Sequence, residues 1–355
     1  MKSTDDFVIL PNKIYADDPY YIPQDGNKVA WQLSDDNPEY AKTQVFIECD
    51  PGKARLAGFY RPDQIVEGKR SAFFGFWETM NDKEHCRKMF AKFESWAKEQ
   101  GAERIFGPID FNTYGKNRVR FPNKKILQPF TKEPYNPPYY PELLENCGYS
   151  VFNRYISFFA RRMFFLGLMK LHNLKSRAPS FIEFRPLTAE LWMQRIEEIY
   201  PLLHEIFKDN FAYQKIERKV FDANISTYVA RILDPNLSIL LIDTRNNRAA
   251  GICIALPDYS EITRQGHASP IPEDAISWEE HHSLLHKPRI LGKTLGVLPE
   301  YRKLGLHNRM VEYVAVRGKG QGDLVGCLAR VGNHSIISNL AIKEPVSYGL
   351  YVKGV

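Results

Sequence analysis

The chain has 355 residues and a formal charge of +6, from 48 Lys and Arg against 42 Asp and Glu; at about 100–200 residues per domain that length fits two domains. An apolar share of 44% with 13% aromatics excludes a disordered chain, and no run approaches the roughly 18 apolar residues that span a bilayer. The polar start Met1–Asp6 lacks the apolar core of a secretion signal, and the scattered Cys49, Cys86, Cys147, Cys253 and Cys327 suggest neither a disulfide framework nor a thiolate zinc site, so a cytoplasmic protein with no membrane partner is expected.

In chain order, residues 44–48 and 54–60 read as strands around the turn Asp50-Pro51-Gly52. Residues 71–78 (SAFFGFWE) read as a third strand. The spacing of Met89, Phe90, Phe93, Trp96 and Ala97 predicts a helix over 82–100, stopped at Gly101. Residues 104–109 read as the next strand. The apolar-basic run 161–166 and the polar stretch that follows mark a connector, or a short helix followed by a linker. Domains are therefore expected at 1–165 and 181–355, with 166–180 between them. In the second half, 181–185 reads as a strand, and 189–207 and 217–232 as helical. Residues 238–243 and 249–256 read as a hairpin, followed by a polar insertion over 257–288. A strand (289–297), a helix (304–319) and strands 324–330 and 346–352 close the chain. The order repeats that of the first half, which predicts a duplicated α/β (α+β) fold with a mixed, largely antiparallel sheet flanked by helices in each copy.

The most informative segment is Leu295-Gly296-Val297-Leu298-Pro299-Glu300-Tyr301-Arg302-Lys303-Leu304-Gly305-Leu306-His307. A strand ends at Pro299, a short loop carries Arg302 and Gly305, and a helix begins at once. Such a helix start offers unpaired N–H groups and a dipole that favours negative charge. With a glycine that lets phosphate approach the backbone, this makes a diphosphate cradle. Pro299 helps end strand pairing, which would splay the strand from its neighbour and admit an extended ligand.

These residues resemble the signature of the GCN5-related N-acetyltransferase (GNAT) superfamily, Arg/Gln-x-x-Gly-x-Gly/Ala after a strand reading V-x-P-x-x-R. The match runs from Val297 through Pro299 and Arg302 to Gly305 and departs at His307, where Gly or Ala is usual. Asn333 is similar to an asparagine that lies along the pantetheine arm in the superfamily, and Tyr348-Gly349-Leu350-Tyr351 to its closing strand. Asn339 and Leu340 occupy the slots where a tyrosine acid is common. The first half resembles the degenerate copy of tandem GNAT proteins through residues 73–78, Gly107-Pro108 and residues 135–140. Its strand-to-helix loop, however, carries Glu78, Asp82 and Glu84, which would repel phosphate.

The resemblance implies an N-acyltransferase that uses acetyl-CoA or another acyl-CoA as cosubstrate, without a metal, in the second domain only. Cofactor contacts are expected at Gly296, Val297, Leu298, Arg302, Lys303, Leu304, Gly305, Leu306, His307, Asn308 and Asn333. A backbone N–H near Val297 or Leu298 would hold the oxyanion. A base is needed because alkyl amines are mostly protonated at neutral pH. Glu280, His282 and His286 are the candidates, His282 and His286 sharing a face if the segment is helical; a polar surface helix is the plainer reading. Asp209 and Phe211 lie where GNAT folds shape the acceptor pocket. Tyr114, Lys116, Asn117, Arg118 and Arg120 form a basic cluster that suits an acidic acceptor, RNA phosphate or simply solvent. The acceptor would be a small amine or amino acid derivative, with an acyl-carrier protein as the other possible donor. The alternatives are an aminoacyl-tRNA-dependent transferase and a non-catalytic acyl-CoA-binding module.

Overall fold

Two helices without a clear signature in the sequence, α1 (Lys2–Ile14) and α2 (Gly26–Gln32), precede the first strand. The structure is a computed structural model that describes residues 2–125, 128–173, 178–331 and 345–355. The Asp50-Pro51-Gly52 turn joins β1 (Gln44–Asp50) to β2 (Ala54–Val66), and Glu67-Gly68, both with positive φ, turn the chain into β3 (Lys69–Thr79). Such turns match the twist of the strands they join. Helix α3 (Lys83–Glu99) follows, with Met89, Phe90, Phe93 and Ala97 buried on one face. It leads to β4 (Arg104–Gly107), the short β5 (Val119–Arg120), α4 (Tyr140–Asn146) and β6 (Ser150–Ala160).

The second half opens with α5 (Arg162–Asn173) and β7 (Ile182–Pro186). The helix expected over 189–207 breaks at Arg195 into α6 (Ala189–Gln194) and α7 (Ile196–Phe207), where the Arg195 side chain turns to Glu198 and Asn247. Helices α8 (Arg218–Phe221) and α9 (Thr227–Ile232) flank a widened π turn. The hairpin is β8 (Ile239–Asp243) with β9 (Arg248–Pro257). The insertion holds two single-turn helices, α10 (Ser260–Thr263) and α11 (Trp278–His281). Then come β10 (Ile290–Val297), α12 (Leu306–Arg317), β11 (Leu324–Arg330) and β12 (Val346–Gly354).

Among the described residues, twelve strands form one sheet in the order β1-β2-β3-β4-β12-β6-β11-β10-β9-β8-β7, with β5 beside β12. The pairs β3–β4 and β10–β11 are parallel and the others antiparallel. Two strands exchange halves. β6, from the first half, pairs with β11 of the second, and β12, the last strand, pairs with β4 of the first. They also pair with each other at the centre. Boundaries at 165 and 181 thus divide the chain but not the sheet. The segment 166–180 opens with helix: α5 reaches Asn173, and its Phe165, Leu166 and Met169 are buried in the second-half core. Residues 174–177 lie outside the described residues.

The helices α3 and α4 cover one face of the first half, enclosing Phe74, Phe90, Phe93 and, from the far end of the chain, Tyr351. A third cluster runs across the opposite face from Phe59 and Phe106 through Tyr155 and Tyr348 to Leu291 and Val325, so both halves share it. This shared apolar layer holds the two forks described next in one frame.

Candidate active site

The parallel pair β10–β11 is in register only at Ile290↔Leu324, Leu291↔Val325 and Gly292↔Gly326. Past that point each strand keeps its outer partner, β9 and β6, and bends away from the other. Both bends are bulges: one between Gly292 and Thr294, the other between Gly326 and Ala329 with Leu328 at φ 55°. A bulge adds a residue, kinks the strand and strengthens its twist, so two facing bulges open a fork. The N–H of Leu298 is donated to the Ala250 carbonyl at 2.9 Å. Alternation along an antiparallel pair then turns the N–H groups of Leu295 and Val297 toward the open side. Of the two donors expected near Val297 and Leu298, the second is therefore spent, and Leu295 joins the first.

Residues 299–304 form a tight 3₁₀ stretch that ends at Gly305, with φ 67°. L-residues reach that left-handed conformation at a cost of about 1–2 kcal/mol, glycine freely. Helix α12 starts there with a glycine, which has no side chain to cap it, at its N-cap and with no acidic residue in its first turn. Arg302 and Lys303 are exposed, and Lys208 on the neighbouring loop is within electrostatic reach of Arg302. Leu304, His307 and Asn308 are half-buried, whereas the Leu306 side chain is wholly in the core. Val297 and Leu298 are likewise core side chains that offer the site only backbone. Gly296 is needed for packing: a Cβ there would lie 2.3 Å from Ile206 Cγ2 on α7. Asn333, Asn339 and Leu340 lie outside the described residues.

Sequence reasoning missed what fixes this loop. Tyr301 is buried and donates its hydroxyl to Asp243 Oδ2 at 2.8 Å, and Arg245 holds the other oxygen at 2.9 Å. Hydrogen bonding to Arg245, which outweighs the opposing effect of burial, keeps the Asp243 carboxyl well below the usual carboxylate range. The available signal was a tyrosine set between charged residues in a turn. It also missed Lys293, the residue added by the β10 bulge. Its ammonium lies 4.5 Å from the Phe130 ring centre and donates to the Thr131 carbonyl. Two ion pairs stand close by, Arg289 with Asp258 at 2.5 Å and Arg120 with Glu133 at 3.3 Å. Among the described residues Lys293 has no carboxylate partner. Across the fork, burial pushes the Cys327 thiol up to about 11.

The candidate bases are not brought to the fork. Helix α11 is a single turn capped by Ser277; His282–Leu284 form a 3₁₀ turn and His286 lies beyond it. Lys287 precedes Pro288, which disfavours helix there. His282 and His286 therefore share no helix face, contrary to expectation. The His282 ring stacks on Trp278 at 4.5 Å, and Glu280 contacts the Ser277 hydroxyl. All three are exposed before β10, at the end opposite the Arg302 loop. Asp209 is exposed beside Lys208. Phe211 packs on Phe106 at 5.2 Å and Phe152 at 5.0 Å, bridging to the first half. The basic cluster is spent internally: Lys116 on Glu78, Arg120 on Glu133, Arg118 over the Tyr155 ring at 3.7 Å, Asn117 on backbone carbonyls, and Tyr114 beside the Tyr213 hydroxyl. Among the described residues no three His, Cys, Asp or Glu side chains gather as metal ligands.

The first half has the same fork, closed. Its parallel pair ends at Phe73↔Phe106, so Phe76 stands three residues past the last pair, as Leu295 does in the second half. The Phe76 N–H is donated to Asp110 Oδ1 at 2.6 Å, and the Ile109 N–H to the Phe74 carbonyl at 2.7 Å. Helix α3 is capped by the Asp82 carboxylate, with Glu84 in its first turn. At the strand end, Glu78 accepts from Tyr140 at 2.7 Å, Tyr15 at 2.9 Å and Lys116 at 3.0 Å. The space left between them is about 20 Å³, room for about one water.

Burial pushes the Asp110 carboxyl up to about 6. A carboxyl raised in the fold stabilises it below the unfolded value of 3.8, and that contribution is lost as pH rises through about 6. Asp110→Asn keeps an acceptor for the Phe76 N–H and removes the buried charge. It is expected to raise stability at neutral pH by about 1–3 kcal/mol and to flatten the profile between those two pH values. Urea unfolding across that range checks it; an unchanged neutral midpoint would show that the carboxyl ionises there without cost.

No family model matches the chain. Protein YghO of Escherichia coli (strain K12) is 23% identical over 215 residues, 58% of this chain and 53% of that protein, so the chain spans about half the length of the curated relative it matches. Among solved structures, the chain is similar to a GCN5-related glucosamine N-acetyltransferase region of a fungal multi-domain GH3 β-N-acetylglucosaminidase (TM-score 0.55, 13% identity, 99% of this chain and 37% of that one). It is similar to a tandem GNAT protein from the clavulanic acid biosynthesis pathway (TM-score 0.52, 10% identity, 99% and 95%). It is also similar to a probable N-acyltransferase of Enterococcus faecalis V583 (TM-score 0.52, 10% identity, 100% and 70%). At these identities the likeness is one of fold, and the chain has the tandem GNAT fold, its two halves joined, among the described residues, in one continuous sheet.

Proposed function

We propose that the chain is an acyl-CoA-dependent N-acyltransferase whose chemistry belongs to the second half. The observation that carries this reading is the contrast between the forks. Three residues past the last pair, the first half gives its N–H to Asp110, whereas the second turns the N–H of Leu295 and Val297 to an opening. In this reading the positive end of the α12 dipole and the charges of Arg302 and Lys303 hold the donor's diphosphate. The pantetheine arm, from acetyl-CoA, a longer acyl-CoA or an acyl-carrier protein, enters the fork. The Leu295 and Val297 N–H groups meet the thioester oxygen as it gains charge. The amine of a small molecule or amino acid derivative attacks the carbonyl carbon; the C–N bond forms, the C–S bond breaks, and the thiol leaves with a proton. The proton lost by the amine goes to solvent, which also supplies the one that the leaving sulfur takes up, because Glu280, His282 and His286 stand at the opposite end of β10. Asp209 and Phe211 border the acceptor side.

Calorimetric titration with acetyl-CoA, longer acyl-CoAs and free CoA tests the donor site. Arg302→Glu replaces attraction by repulsion beside a diphosphate and is expected to weaken binding at least about 100-fold at low salt. Binding unaffected by the substitution would move the donor elsewhere. No binding of any of the three would overturn the CoA reading, and salt-sensitive affinity for charged tRNA would replace it.

A further inference from the structure

Helix α5 is apolar on both sides. Its inner face, Phe165, Leu166 and Met169, is buried in the second-half core. Its outer face carries Met163, Phe164 and Leu171, which are 65%, 53% and 65% exposed. Eleven large hydrophobic residues are exposed among the described residues; three fall on this one helix. A fourth, Val316, lies on the last turn of α12, where Arg162 Nη1 reaches the Ala315 carbonyl at 2.7 Å. A helix that is hydrophobic all round is normally covered, and scattered apolar residues need no explanation while a gathered patch does.

On α5 itself the charge has one sign, and Glu312, one turn before Val316 on α12, is paired with Arg309 at 3.3 Å. Residues 161–173 contain no Asp or Glu. Arg161 and Lys170 are exposed on this segment, and Arg317 and Lys319 beside it. We propose that the outer face of α5 docks on an anionic membrane surface, with Met163, Phe164 and Leu171 entering the headgroup–acyl boundary and the four basic residues facing lipid phosphates. Amphipathic segments with this division lie in the plane of the interface, and each Lys or Arg near such a surface adds to the attraction. A second copy of the chain fits less well, because a two-fold contact sets the same basic rim against itself. No span is required, so the lack of a helix long and apolar enough to cross a membrane does not bear on this mode. The proposal stands apart from the acyl-transfer reading, and its test needs no turnover.

The test is co-sedimentation of the full chain with vesicles of phosphatidylcholine alone or mixed with phosphatidylglycerol. Binding is expected with the mixed vesicles and should weaken as salt rises. The triple variant Met163→Ser, Phe164→Ser, Leu171→Ser should reduce partitioning at least about tenfold, and the pair Arg161→Glu, Lys170→Glu about tenfold at low salt. Phe164→Trp should give a blue-shifted emission on mixing with the same vesicles, and keeps the test valid if the triple variant folds poorly. No sedimentation with mixed vesicles, binding unchanged in both multiple variants, or a stable dimer in sedimentation velocity that the triple variant abolishes would each overturn the proposal.

Discussion

A chain ended at residue 345 is expected to lose the fold of its first half, although the residues removed lie at the opposite end of the sequence. β12 is not a terminal appendage: it sits between β4 and β6 at the centre of the sheet. Tyr348 and Tyr351 are wholly buried and Leu350 nearly so. Tyr351 belongs to the core under α3, and Tyr348 and Leu350 to the layer shared by both halves. Truncating one large buried side chain costs about 3–5 kcal/mol, against a total stability of about 5–15 kcal/mol. Deleting the strand removes three such side chains and leaves β4 and β6 with open edges that invite aggregation. Limited proteolysis of the shortened chain should cut within 1–125 first, and a peptide of residues 345–355 added in trans should restore protection. The same argument predicts that a fragment of residues 1–165 does not fold alone. Cooperative unfolding of that fragment would show that the strand exchange is dispensable.

Glu78→Ala is expected to destabilise the chain by about 3–5 kcal/mol. Its carboxylate joins the end of β3 to Tyr15 just after α1, to Tyr140 at the start of α4 and to Lys116 in the loop after β4. Removal leaves two buried hydroxyls short of an acceptor and an ammonium without its partner. Burial alone would raise the Glu78 carboxyl; the charges of Lys116 and Arg55 and the Tyr140 hydrogen bond outweigh it, so the net direction is down. A lowered carboxyl stabilises the fold above its unfolded value of 4.5, and the contribution is lost as pH falls. This is opposite in sign to Asp110 nearby. Denaturant unfolding of Glu78→Ala and of the milder Glu78→Gln at neutral and acidic pH separates the two groups: the gap between Ala variant and parent should close on acidification. A neutral-pH loss under about 1 kcal/mol would mean that the three donors find other partners. CoA affinity, in the proposed reading a property of the second half, should not change while the variant stays folded.

Much of the chain is legible in local patterns. The 50–52 turn, the apolar face of α3, the β8–β9 hairpin and the 299–305 loop each depend on residues a few positions apart, and their chemistry is complete within that window. The order of elements also exposes the duplication. The breaks are local in cause but silent in sequence: the helix over 189–207 parts where Arg195 finds Glu198 and Asn247, partners no periodicity reveals. Helix α1 begins in a polar, acidic run and contains Pro11, so tertiary packing rather than propensity holds it.

Three features had no local signature. The exchange of β6 and β12 is one, since an alternating strand carries no mark of which neighbour it will join. The closure of the first fork by Asp110 is another: that carboxylate follows Phe76 by 34 residues, and only the sheet brings it to the Phe76 N–H. The opening of the second fork, with Lys293 and Cys327 at its base, is the third, because a bulge is a disagreement between strands rather than a property of either. Residue type and spacing state which side chains are suited to a diphosphate or to a core. Which of two matching forks stays open depends on long-range pairing, where backbone hydrogen bonds and burial are settled jointly by segments far apart in the chain.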